Sequence, residues 1–136
     1  MRATGEFVYN LATYDLRDAV NMTSTPAEPD VDEFELAKLE KAPSAVVKPP
    51  RVAASPANLE CKVLRIVTIE PDQPGDTPSN VVFGRVVGMH IRDEYLLAGG
   101  KFDTIKAQPL TRLGGIQYAP PGPIIEMPQP FRRAGE

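Results

Sequence analysis

The strongest constraint on this chain comes from two β-branched runs, "LECKVLRIVTIE" (59–70) and "NVVFGRVVGMHI" (80–91), joined by the breaker-rich "PDQPGDTPSN". A polar loop crowded with Pro, Gly, Asp and Asn between two such runs predicts long strands that return antiparallel. In the first run Cys61, Val63, Val67 and Ile69 share one parity, interrupted by Arg65, while Leu64 and Ile66 share the other with Lys62 and Thr68. Apolar groups on both parities predict a strand at least partly covered on both faces, as in a barrel wall carrying helices or a second subunit outside. In the second run Val81, Phe83, Arg85, Val87, Met89 and Ile91 point one way, and Val82, Gly84, Val86, Gly88 and His90 the other. Glycine inside a strand marks a bulge or bend, or a place where a ligand or another backbone comes close, and both readings stand here. His90 likewise reads either as a hydrogen-bonded structural residue or as a polar edge for a flat ligand on the thinned face.

Before these runs, "GEFVYNLA" (5–12) has the composition of a buried strand, and Thr13 is placed to cap a helix over about 14–24 with Asp15 in its first turn. Asp30 followed by Glu33 resembles a capping box opening the short helix "VDEFELAKL". The chain holds 15 prolines, and "KAPSAVVKPPRVAASPAN" has no periodicity, so it is expected as an ordered segment hugging a surface or as a semi-rigid linker. Beyond 91 come short elements broken by two Gly-Gly pairs. Gly114 and Gly115 read as a plain turn or as amides turned toward an anion. One domain over 1–136 is expected, its stretch 120–136 an extended Pro-rich tail.

A formal charge of -3 and no basic cluster beyond Arg132 and Arg133 argue against a nucleic-acid partner. No apolar run reaches membrane-spanning length, and "MRATGEF" lacks the apolar stretch of a secretory signal. A single cysteine fits a reducing compartment, with the cytoplasm the simplest location. With one histidine and one cysteine a metal site is not expected. P-loop, dinucleotide and serine-elbow patterns are missing, Cys61 reads as a buried inert thiol, and Asp30, Asp32 and Glu33 read as helix-start charges. No catalytic side chain is assigned, so any redox or transfer chemistry would have to come from a cofactor.

The ordered blocks "ATGEFVYNLATYDLRDAVNMTS", "DEFELAKL", "PPRVAASPANLECKV", "NVVFGRVVGMHI" and "QPLTRLGGIQY" resemble the flavin reductase-like family. The resemblance implies a mainly β fold with flanking helices, the FMN-binding split barrel of antiparallel strands. It also implies a homodimer that binds FMN near the subunit interface and passes electrons from NAD(P)H to flavin, or through bound FMN to an acceptor such as a flavoprotein oxygenase. Carried onto this sequence, the cofactor-binding positions are His90 and Gly88 on the thinned strand, Asn10 past the first strand, Lys38 on the second helix, and Arg112 and Tyr118 in the last block. Asn10 and Lys38 also have plain readings as a strand-end cap and a solvated lysine, and Arg112 and Tyr118 as turn residues.

Family members carry further barrel strands and a phosphate-gripping loop ahead of the segment matching "ATGEFVYN". The expectation is therefore a chain equivalent to the C-terminal two thirds of a member, with weak cofactor binding and an open barrel prone to association. The alternative reading is a degenerate split-barrel protein without enzymatic activity, serving as a dimerisation or interaction module.

Overall fold

The computed structural model describes residues 3–28, 30–73 and 75–127. At its centre β1 (Glu6–Asn10), β4 (Ala57–Ile69) and β5 (Ser79–Ile91) form one antiparallel sheet in the order β1-β4-β5. The expected return of the second long run on the first is therefore present. Two small ladders flank the sheet: β2 (Lys41–Ala42) with β3 (Arg51–Val52), and β6 (Thr111–Gly114) with β7 (Gln117–Ala119). Among the described residues three short α-helices complete the fold, α1 (Arg17–Thr23), α2 (Glu33–Leu36) and α3 (Thr104–Ala107), with a 3-10 turn at Asp93–Tyr95 after β5.

Several local expectations are corrected. A tight helical turn, Tyr14–Leu16, precedes α1, and Thr13 makes no side-chain cap; its backbone forms a bridge with Pro109 instead. At α2 the capping carboxylate is Asp32, not Asp30: its side chain accepts the Phe34 N–H at 3.0 Å and also pairs with Lys41. Lys41 first, then the Phe34 amide, hold the Asp32 carboxyl below the usual range. The helix ends after one turn because Lys38 adopts φ 54°, with Lys38 N–H donating to Glu35 O and Leu39 N–H to Phe34 O, the bonding of a Schellman cap. Residues 121–127 have no regular structure; 128–136 of the expected tail lie outside the described residues.

Both strand glycines sit beside bulges. Glu60 pairs with Gly88 and Cys61 with Val86, leaving Val87 without a partner; Val63 pairs with Gly84 and Arg65 with Phe83, leaving Leu64 over. An extra residue reverses the alternation beyond it, so Gly84 does not share a face with Gly88 and His90 as simple parity expects. Directly opposed residues of an antiparallel ladder lie on the same face. One face thus carries Phe7, Tyr9, Leu59, Cys61, Val63, Gly84, Val86 and Met89, and the other Glu6, Val8, Asn10, Asn58, Glu60, Gly88 and His90.

Burial reverses the usual pattern. On the polar face Asn58 is 2% exposed and Glu60 0%, whereas Tyr9, Val86 and Met89 on the apolar face are exposed, Met89 to 62%. Among the described residues, the buried hydrophobic core consists of Val47, Cys61 and Ala107. The far half of the β4–β5 ribbon, beyond the reach of β1, leaves Leu64, Ile69, Val81 and Phe83 exposed. The cover expected on both faces of 59–70 is therefore only partial for that half within this chain.

What covers the polar face is the Pro-rich stretch 43–56. It runs as a strap from β2 through β3 and back into β4, and it meets the sheet through side chains rather than through a ladder. Pro43, Pro49 and Pro50 have no N–H to give, and the amides of Ala45, Val46, Val47 and Lys48 all end on sheet carboxylates. Two further bonds close the strap on itself, Ser44 Oγ to Pro49 O (2.6 Å) and Arg51 Nε to Pro43 O (3.0 Å).

Candidate functional site

The strongest polar centre is Glu60. Its carboxylate accepts three consecutive backbone N–H bonds, from Ala45 (2.7 Å), Val46 (2.6 Å) and Val47 (2.9 Å), and pairs with His90 Nε2. Burial by itself raises the carboxyl pKa, but the Ala45 amide, the imidazole and the other two amides outweigh it and hold Glu60 at about 2. The carboxylate is therefore ionised at neutral pH, and His90 donates from Nε2, which fixes the proton on that nitrogen. Gly88 lies directly opposite Glu60, and a Cβ there would come within 3.4 Å of Glu60 Cβ and Cδ and 3.5 Å of Val46 Cγ2.

Gly84 serves a different neighbour. A Cβ at that position would stand 2.5 Å from Phe7 Cζ, so the absent side chain makes room for an aromatic ring of this same chain. The bulge reading therefore holds at both glycines, and the groups that approach them are side chains of this same chain, Phe7, Glu60 and Val46, in place of a ligand or another backbone.

Next to Glu60, Asn10 carries the polar network to a cleft. Asn10 Oδ1 accepts from Val52 N–H (2.9 Å) and Asn58 Nδ2 (2.8 Å), and Asn58 Oδ1 accepts from Arg51 Nη1 (3.0 Å). Asn10 and Val52 form one wall of a cleft of about 250 Å³ whose other walls come from α1 (Ala19, Val20) and the α2 region (Phe34, Leu39). The Schellman turn at Lys38 sets Leu39 beside Phe34 in that wall, while Lys38 itself does not line the cleft.

Arg112 and Tyr118 lie elsewhere, on the β6–β7 hairpin. Arg112 donates to Tyr118 Oη (2.6 Å) and to Gly115 O (2.8 Å), which ties the turn at Gly114 and Gly115. Tyr118 lines a second cleft of about 330 Å³ with Tyr14, Arg17, Leu110 and Ile116. Helix α1 stands between the two clefts, contributing Val20 to both. The six positions expected to bind a cofactor thus divide into a group near Glu60 and the first cleft (His90, Gly88, Asn10, with Lys38 behind it) and a hairpin group (Arg112, Tyr118).

The sequence predicts the strap as a surface-hugging segment but does not point to Glu60 as its anchor. The available signal was a carboxylate in the middle of an otherwise buried run, directly before the buried Cys61. A charged group there demands several donors, and the Pro-poor center of the strap, "SAVVK", supplies them.

A flavin can be tested against these walls. The first cleft offers an apolar bed (Leu16, Ala19, Val20, Phe34, Leu39) and an amide at its edge, which suits a planar ring system. It offers no cationic side chain for a phosphate, because Lys41 near Phe34 is paired with Asp32. The first cleft fits the ring and not the phosphate. Among the described residues no helix is long and apolar enough to cross a membrane, and no cluster of His, Cys, Asp and Glu could hold a metal ion.

Residues 1–106 match the family model described as "Flavin reductase like domain". An uncharacterized protein of Halalkalibacterium halodurans is 35% identical over 93% of this chain and 59% of its own length. One from Methanothermobacter thermautotrophicus is 36% identical over 81% of the chain and 51% of its own length. Among solved structures, nitrilotriacetate monooxygenase component B from Bacillus cereus superimposes with a TM-score of 0.83 at 28% identity, covering 93% of this chain and 61% of that one. Flavoredoxin of Desulfovibrio vulgaris (Miyazaki F) gives 0.76 at 17% identity, covering 93% and 64%. The chain spans less than two thirds of the length of each of these proteins. The mainly β, antiparallel fold is that of flavin reductase split barrels.

Proposed function

The chain belongs to the flavin reductase-like family, and on that premise we propose that it supplies the ring-binding part of a flavin site in an oxidoreductase. The observation that carries this reading is the first cleft: apolar residues of α1 and α2 face the Asn10–Val52 wall, which is hydrogen-bonded to a rigid polar network. FMN is the proposed cofactor and NAD(P)H the proposed electron source; a flavoprotein oxygenase or another electron acceptor is the proposed partner. A bound flavin supplies hydride and electron transfer at its ring. The chain's own residues contribute otherwise: Phe34, Leu39 and Ala19 exclude water from the ring, and Asn10, its Oδ1 already occupied, presents Nδ2 at the edge. That Nδ2 bonds weakly within the chain, to Val8 O at 3.5 Å, so it is available to a ring carbonyl.

The uncovered apolar sheet face (Tyr9, Val86, Met89) supports pairing with a second subunit, as proposed for a homodimer, and also favours the reading of an interaction module without cofactor. Titrating FMN with the chain and following flavin fluorescence separates the two. Saturable quenching that weakens in Asn10→Ala supports the flavin site; unchanged fluorescence together with concentration-dependent association favours the module.

A further inference from the structure

The strap 43–56 is fastened to the sheet in an unusual way. Its tip amides, 45 to 47, converge on one point, and that geometry is an anion-binding nest of successive backbone N–H groups. The nest is filled from within the chain by the Glu60 carboxylate, which is fully buried and backed by His90. The following amide, Lys48 N–H, donates to Glu6 Oε2 at 3.0 Å, and further along Val52 N–H donates to Asn10 Oδ1. The β2–β3 ladder is two residues on each side, and such a pair does not hold by itself. Holding the strap therefore falls chiefly to side chains of the sheet, with Glu60 providing more of the bonds than any other residue.

Val52, at the strap's far end, is a wall of the first cleft. We propose that Glu60 is a positioning residue: by occupying the 45–47 nest it seats the strap, and through the strap it sets the Asn10–Val52 wall of the ring-binding cleft. Neither Glu60 nor His90 lines that cleft, so their influence on it runs through the strap. This proposal rests on the flavin reading only for its last consequence, the effect on FMN.

The test uses the full chain and the variant Glu60→Ala, measured with and without sodium acetate against sodium chloride at equal ionic strength. Acetate is small enough to enter the vacated nest and restore a carboxylate to it. Losing charge-assisted bonds predicts that amide hydrogen exchange at Ala45, Val46 and Val47 speeds up at least about tenfold. Exchange at Val52 should follow, the β4–β5 ladder should keep its protection, FMN affinity should fall in step, and acetate should restore all three changes. Glu60→Gln, which keeps shape but places an NH₂ against N–H donors, gives the same pattern in milder form should the alanine variant not fold. Unchanged exchange at 45–47 overturns the proposal, as does loss there with Val52 and FMN affinity untouched, or failure of acetate to restore a variant that remains folded. If the wild-type chain does not bind FMN, the flavin reading fails, and exchange at 45–47 and 52 alone decides whether Glu60 seats the strap.

Discussion

Replacing Gly84 by alanine tests how the sheet is packed. The added Cβ would stand 2.5 Å from Phe7 Cζ and 2.7 Å from Cε1, so the ring or the strand must move. Overpacking of this kind costs about 1–3 kcal/mol. Relief comes from two sources: glycine's extra backbone freedom, about 0.5–1 kcal/mol in a strand interior, and the half-buried Phe7 ring, which can swing toward solvent. The balance predicts a loss of about 1 kcal/mol, or a fall of about 4 °C in thermal midpoint for a chain of this size. Urea and thermal denaturation followed by circular dichroism measure it. A double-mutant cycle with Phe7→Leu isolates the cause: with the ring gone, Gly84→Ala should cost nothing or stabilise slightly, a coupling of about 1 kcal/mol. An equal loss with and without the Phe7 ring would refute the idea that this glycine exists to admit it.

Other expectations follow from the same geometry. Glu60, held at about 2 against an ordinary 4.5, contributes its full stability above pH 4.5 and loses it as pH falls from there through about 2; acid denaturation should be steeper in wild type than in Glu60→Gln, and equal acid profiles would remove Glu60 from the account. Burial pushes the Cys61 thiol above its usual range, so a thiol reagent at mildly alkaline pH should modify it only as fast as the sheet opens, with urea accelerating the reaction. Lys38→Gly relieves a left-handed backbone at the Schellman position and should raise stability by up to about 1 kcal/mol, seen as a higher urea midpoint, without altering FMN affinity.

The two long strands and their antiparallel pairing can be read directly from β-branched composition and a breaker-rich loop, because those signals are local. The strand glycines signal a bulge or bend, but which residue is extra, Val87 or Leu64, depends on the partner it faces, and that reversed the face assigned to Gly84 relative to Gly88 and His90. The strap shows the same limit. "KAPSAVVKPPRVAASPAN" predicts a segment lying on a surface, but the anchor is a carboxylate 15 residues from Ala45, reached only once β4 is in place. Of the proposed site, Asn10 is pointed to by the family resemblance and by no local signal beyond its place at a strand end, and the separation of Arg112 and Tyr118 from it by α1 is a property of packing.

The central claim is that α1, α2 and the strap enclose the ring of a flavin. A ¹H–¹⁵N correlation spectrum of the full chain recorded during FMN addition tests it residue by residue. Saturable shifts concentrated at Leu11, Leu16, Ala19, Val20, Phe34 and Val52 are predicted; shifts that cluster on the β6–β7 hairpin or the open apolar face instead, or a spectrum that does not change, would contradict it.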